Sequence, residues 1–239
     1  MKKFKATLVF ALASLCAAFT PAQNSKYPSL SEYMMAPEAE IALARSAAPE
    51  NISSHATVKI LTASGYKIAV QGDNGFVCMV MRGWTGAPTF GPLSVRNNIV
   101  FDSKIRAPIC FDPVASRTVE PYHELRTKLG MEGKDPDAIA SEVATAYALG
   151  KLPKREGVAF AYMWSSDQYL GPGAGAWHPH IMIYAPYYEN SMLGGNRPGG
   201  TAPVVGDDAG TPFAVVVIPV HDAQSLKSEP TATTQKSPQ

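Results

Sequence analysis

The sequence predicts an α+β fold: a mainly antiparallel sheet with three helices, as a single globular domain over residues 23–223. Short alternating apolar segments bounded by Gly, Pro and Asn read as strands. Three longer segments with helical periodicity carry recognisable ends. Their order along the chain is helix, strands, two helices, strands, which favours an antiparallel sheet. The 239 residues are 46% apolar and 17% charged, enough apolar material for one sizeable core. That balance excludes a disordered charged tail or a collagen-like fibre. A net charge of +1 excludes nucleic-acid binding by bulk charge.

The N-terminus reads as a signal peptide over residues 1–22. Lys2, Lys3 and Lys5 precede an uncharged stretch over 6–19, and Thr20-Pro21-Ala22 ends in a small residue. The stretch is shorter than the roughly twenty residues that cross a bilayer. Export is therefore expected, to the periplasm or the exterior, with no membrane span in the mature chain. Cys16 leaves with the signal. Cys78 and Cys110 remain as an even pair in an oxidising compartment, where a disulfide is the default.

Residues 23–36 read as a lead-in to a helix over 37–48. Pro37 stands in its first turn with acidic residues nearby, and Pro49 stops it. Alternation then predicts strands over 57–62, 66–71 and 76–82. With Gly72-Asp73-Asn74-Gly75 as a hairpin turn, they form a three-strand meander. Cys78 shares a side with Phe76 and Val80, facing the core. Between 83 and 117 only 99–101 and 109–111 read as short strands. Helices follow over 118–129, with Tyr122, Leu125 and Leu129 on one face, and from an Asp135 cap to Gly150, with Ile139, Val143, Ala146 and Tyr147 on one stripe. Both read as ordinary surface helices, with Glu120, Glu124, Glu132, Asp135 and Asp137 as helix-start and solvent-face charges. Strands over 157–164, 177–184 and 211–220 complete the sheet. A Gly/Pro-rich loop of functional length separates the last two, and residues 224–239 read as a disordered tail.

One constellation offers chemistry. On an extended strand His178, His180, Met182 and Tyr184 project to one side, and Trp177, Ile181 and Ile183 take the other side as the core. Two imidazoles and a thioether suit copper, whereas imidazole with carboxylate would suit zinc or iron. His221 is the first candidate for a third ligand, followed by His123, Asp207 and Asp208. The plainer alternative is a half-exposed polar face with Met182 as filler, and Pro179 pushes the segment to a sheet edge or a bulge. His123-Glu124 lacks the second histidine of a zinc-protease helix. The glycines at 171, 173 and 175 do not form a dinucleotide fingerprint. No serine-nucleophile elbow is present. The aromatics Tyr162, Trp164, Tyr169, Trp177, Tyr184, Tyr187 and Tyr188 read as core and rim, or as the lining of a ligand groove.

The expectation is an exported protein that binds a metal ion, copper or zinc, or a small ligand at the His-x-His-x-Met strand. The alternative is a non-catalytic envelope protein that meets another protein. A metal-assisted hydrolase or oxidase that activates a bound water on the same histidines ranks below both. Whether the chain is an enzyme stays open.

Overall fold

A computed structural model describes residues 27–85, 101–155, 157–171, 179–195, 202–206 and 208–220. The segment read as a signal peptide, the C-terminal tail, Trp177, His178, Asp207 and His221 lie outside them. The described residues form an eight-stranded, mostly antiparallel sheet with six α-helices. In chain order these are α1 (Leu30–Tyr33), α2 (Pro37–Arg45), α3 (Glu50–Ser53), β1 (Thr57–Thr62), β2 (Gly65–Val70), β3 (Val77–Met81) and β4 (Ala107–Phe111). Then come α4 (Ala115–Thr118), α5 (Glu120–Met131), α6 (Pro136–Ala148), β5 (Ala159–Met163), β6 (His180–Tyr184), β7 (Val204–Val205) and β8 (Val215–Pro219). Short 3-10 turns occupy Gly83–Thr85 and Asn190–Leu193.

The three expected helices are the long ones, α2, α5 and α6; the others have four residues each. End signals place them. Asp135 caps α6 by accepting from the Ala138 N–H at 2.8 Å, Pro136 fills the first turn, and Gly150 follows at φ +66°. Helix α2 carries Glu38 and Glu40 in its first turn and Arg45 in its last, matching its dipole. It stops at Arg45, before the expected end, and Pro49 also begins α3. The expected start of α5 at residue 118 falls instead at the end of α4, and the break is at Val119, which ends α4 and opens α5.

The sheet order is β2-β1-β3-β4-β5-β6-β8-β7. The β1–β2 hairpin forms across Gly65 as its turn residues require. The three-strand meander does not. Strand β3 lies on the far side of β1, parallel to it, with Val58 opposite Cys78. The connection over 71–76 crosses the start of β1 instead of folding back on β2. Gly72 N–H donates to Thr57 Oγ1 at 3.1 Å, and Asp73 N–H donates to the His55 carbonyl at 3.0 Å. A Cβ on Gly72 would sit 2.2 Å from the Thr57 nitrogen, so glycine is needed there for close passage as well as for turning.

Each sheet face has its own cover. On one, Val58, Cys78, Val80 and Cys110 pack under the Ala44, Ala47 and Ala48 methyls. Cys78 and Cys110 stand directly opposite across β3 and β4 and are bonded Sγ to Sγ. On the other, Met79, Ile109, Phe111, Ala161, Met163, Met182, Tyr184, Val215 and Val217 pack with Ala115 and Val119. Strand β4 is longer than expected and buried throughout; Phe101 falls in no strand, and Ile99 and Val100 lie outside the described residues. The expected 185–210 loop returns partly to the sheet, since β7 pairs with β8. Residues 211–213 form a turn, with Thr211 Oγ1 donating to the Asp208 carbonyl and accepting from the Phe213 N–H.

A buried ion pair ties α2 to the sheet. Arg82 Nη2 donates to Glu40 Oε1 at 2.8 Å, and both side chains are buried. Glu40 Oε1 also accepts from the Leu61 N–H, and Arg82 Nε donates to the Tyr33 carbonyl. The remaining lone pairs and protons of a buried pair need such partners.

Candidate functional site

Strand β6 alternates as expected, but the core lies on the opposite side from the one expected. His180 is 1% exposed, Met182 0% and Tyr184 1%, whereas Ile181 and Ile183 are half-buried. Met182 and Tyr184 belong to the core cluster that also holds Ala115 and Val119, whereas α2 covers the other face near β1, β3 and β4. His180 sits between Met163 of β5 and Pro219 of β8, and Met182 between Ala161 and Val217. The Arg155 guanidinium lies 4.9 Å from the Tyr184 ring centroid. Burial pushes the Tyr184 hydroxyl well above its ordinary pKa, against the pull of Arg155.

The other candidate ligands are dispersed. His123 is fully buried on α5, with its ring 5.7 Å from that of Phe111. Asp208 is buried in the turn before β8. Among the described residues, no three His, Cys, Asp or Glu side chains converge as a metal set. Of the aromatics singled out, Tyr184 is core, Tyr162 and Tyr169 are half-buried, and Trp164, Tyr187 and Tyr188 are exposed.

A second region has the opposite character. The β1–β2 hairpin stands off α5 and α6 and leaves an open cavity of about 430 Å³. Its apolar lining comes from Tyr66, Leu125, Ala146 and Leu152, and its rim carries Lys67, Lys128 and Lys151. Lys67 lies on the edge strand β2 and Lys128 on the outer side of α5, both exposed. Lys151 follows the Gly150 turn, where Lys151 N–H and Leu152 N–H both bond the Ala146 carbonyl and seat Leu152 inward. None of the three ammonium groups makes an ion pair with a described residue.

The one carboxylate on this rim among the described residues, Glu124, is already engaged. Lys59 of β1 reaches between Glu120 and Glu124, which stand one turn apart on α5, and donates to both, at 2.9 Å for Glu124 Oε1. Glu120 was expected on the solvent face but is 4% exposed. Burial raises its pKa to about 7, with Lys59 pulling the other way. The rim therefore presents three unmatched positive charges above an apolar floor. Arg126 is likewise fully buried, its Nη1 donating to Tyr122 Oη at 2.7 Å, so α5 hides polar groups that an ordinary surface helix would expose.

Sequence reasoning missed this groove. Its lysines stand at 67, 128 and 151, on three different elements and with no common spacing. Only the β2 edge strand being solvent-facing, with Lys67 on it, could have been read beforehand.

The chain matches no protein-family model, no curated protein and no solved structure. What fold and site define is an α+β protein with a cationic, apolar-floored cleft. No helix among the described residues is long and apolar enough to cross a membrane.

Proposed function

We propose that this chain is an exported binding protein for a small organic anion, held in the groove between β2, α5 and α6. The observation that carries the reading is the pairing of an open cavity of about 430 Å³ with Lys67, Lys128 and Lys151, none of them matched by a carboxylate among the described residues. That volume suits a small molecule, and an apolar lining with a few placed polar groups is the usual form of such sites. Lysine supplies a mobile point charge with three donors, suited to a carboxylate or phosphate whose orientation is not fixed by a planar fork. Export is supported by the residue 1–22 pattern and by the bonded cysteines.

The test is calorimetric titration with hexanoate at low salt, with hexylamine as the control. Hexanoate should bind and hexylamine should not, and raising the salt should weaken the binding. The triple variant Lys67→Glu, Lys128→Glu, Lys151→Glu should lose it by at least tenfold. Equal affinity in the triple variant and the native chain would refute the reading.

A second reading keeps a copper or zinc ion on β6, held by His178, His180 and Met182 with His221. It is favoured by His180 and Met182 sharing one side of that strand. A metal there would be enclosed by protein, because both described side chains are buried.

A further inference from the structure

We infer that the anion is the head of a long amphiphile, whose single aliphatic chain runs from the lysine rim along α5 to the indole of Trp84; this rests on the anion reading above. Three cavities follow one another along that helix and share their walls. The lysine groove and a cavity of about 220 Å³ share Ser64 and Lys128. That cavity shares Leu30 and Met131 with a third of about 170 Å³, lined by Tyr27, Trp84, Phe101 and Gly130 among others. The α5 positions involved, 121, 124, 125, 128 and 131, recur at three- and four-residue spacing and make one stripe on the helix. At 1.5 Å per residue the stripe covers roughly 15 Å, the length of a medium acyl chain.

Charge falls away along this trench. Among the described residues the first cavity has three lysines and Glu124, the second keeps Lys128 and Glu132, and the third has no charged side chain. The third is also firmly built. A Cβ on Gly130 would stand 2.7 Å from Trp84, so α5 lies directly on the indole there. Tyr27 and Phe101 stack with ring centroids 3.5 Å apart. Trp84 is 2% exposed, and its indole N–H has no hydrogen-bond partner among the described residues. One cationic end and one apolar end on a single track match a carboxylate with a linear tail.

The head is held constant and the tail varied: butanoate, hexanoate, octanoate and decanoate are titrated into the purified chain. Affinity should rise roughly fourfold for each methylene that leaves water, until the trench is full. Decanoate, but not butanoate, should shift the emission of Trp84 in a Trp164→Phe, Trp177→Phe background. Met131→Arg should remove the gain with length; Leu30→Arg should do the same if Met131→Arg does not fold. Equal affinity across the series overturns the tail while leaving the anion groove standing. Failure of every carboxylate to bind overturns both. Vesicles of a diacyl phosphatidylglycerol should not capture the chain; capture without binding of monomeric decanoate would overturn the free amphiphile in favour of a lipid headgroup.

Discussion

On β6 the polar side chains turn in; between β2, α5 and α6 they turn out. His180 and Met182 are buried with apolar neighbours on both flanking strands, whereas Lys67, Lys128 and Lys151 ring a cleft open to water. Strand alternation decides which side chains travel together, but the next layer decides whether they meet solvent. A binding residue and a core residue can therefore share one local pattern, and what separates them is several dozen residues away in the chain.

The sharpest break between the two regions is in stability. Met182→Ala removes a fully buried side chain, so unfolding in denaturant should show a loss of about 2–5 kcal/mol. Hexanoate affinity of the folded protein should stay within about twofold, because sites this far separated act independently. A loss under about 1 kcal/mol would mean the β6 interior is loosely packed and open to a ligand. Replacing both cysteines by alanine should cost about 2–4 kcal/mol, since the bond closes a span of 32 residues in the unfolded chain.

The Glu120 carboxyl gives a smaller, signed effect at the wall of the groove. Burial holds its pKa at about 7 in the folded protein, against an ordinary 4.5 once unfolded. The unfolded chain gives up this proton first, so the group's stabilisation is complete below about 4.5 and is lost as pH rises through about 7. The slope in that window is at most about 1.4 kcal/mol per pH unit. Glu120→Gln should flatten it in a pH series of melting curves; an unchanged slope would place the titration elsewhere. The smallest effect should come from the rim itself. The triple lysine reversal should change unfolding free energy by less than about 1 kcal/mol, since exposed charges contribute little.

Metal uptake sharpens the same comparison. With the anion groove as the site, copper or zinc should bind the native chain and the His178→Ala, His180→Ala double variant equally weakly. Stoichiometric uptake lost in the double variant would move the functional centre to β6.

Much of the fold was legible because its signals are local. Asp135-Pro136 and Gly150 bracket α6, Pro37 opens α2, and Gly65 closes the β1–β2 hairpin. Gly72 to Gly75 misled for the same reason. A turn signal reports that the chain bends, not which strand it then joins, and here the close pass over Thr57 sends β3 to the other side of β1. The charged interior was illegible for a different reason. Arg82, Glu40, Glu120 and Arg126 look like surface residues until their partners far off in sequence, for Arg126 the Trp84 carbonyl, are known. The β6 alternation was readable, yet its inward direction was not, because that depends on where the helices land. The lysine groove draws on a strand edge, a helix and a turn, so no window of sequence contains it.

The central claim is tested most directly by following backbone amide resonances of the labelled chain during a hexanoate titration. Saturable shifts should concentrate at residues 64–67, 124–128 and 151–152, with residues 180–184 unmoved. Shifts centred on 180–184, or spread without saturation over the surface, would contradict it.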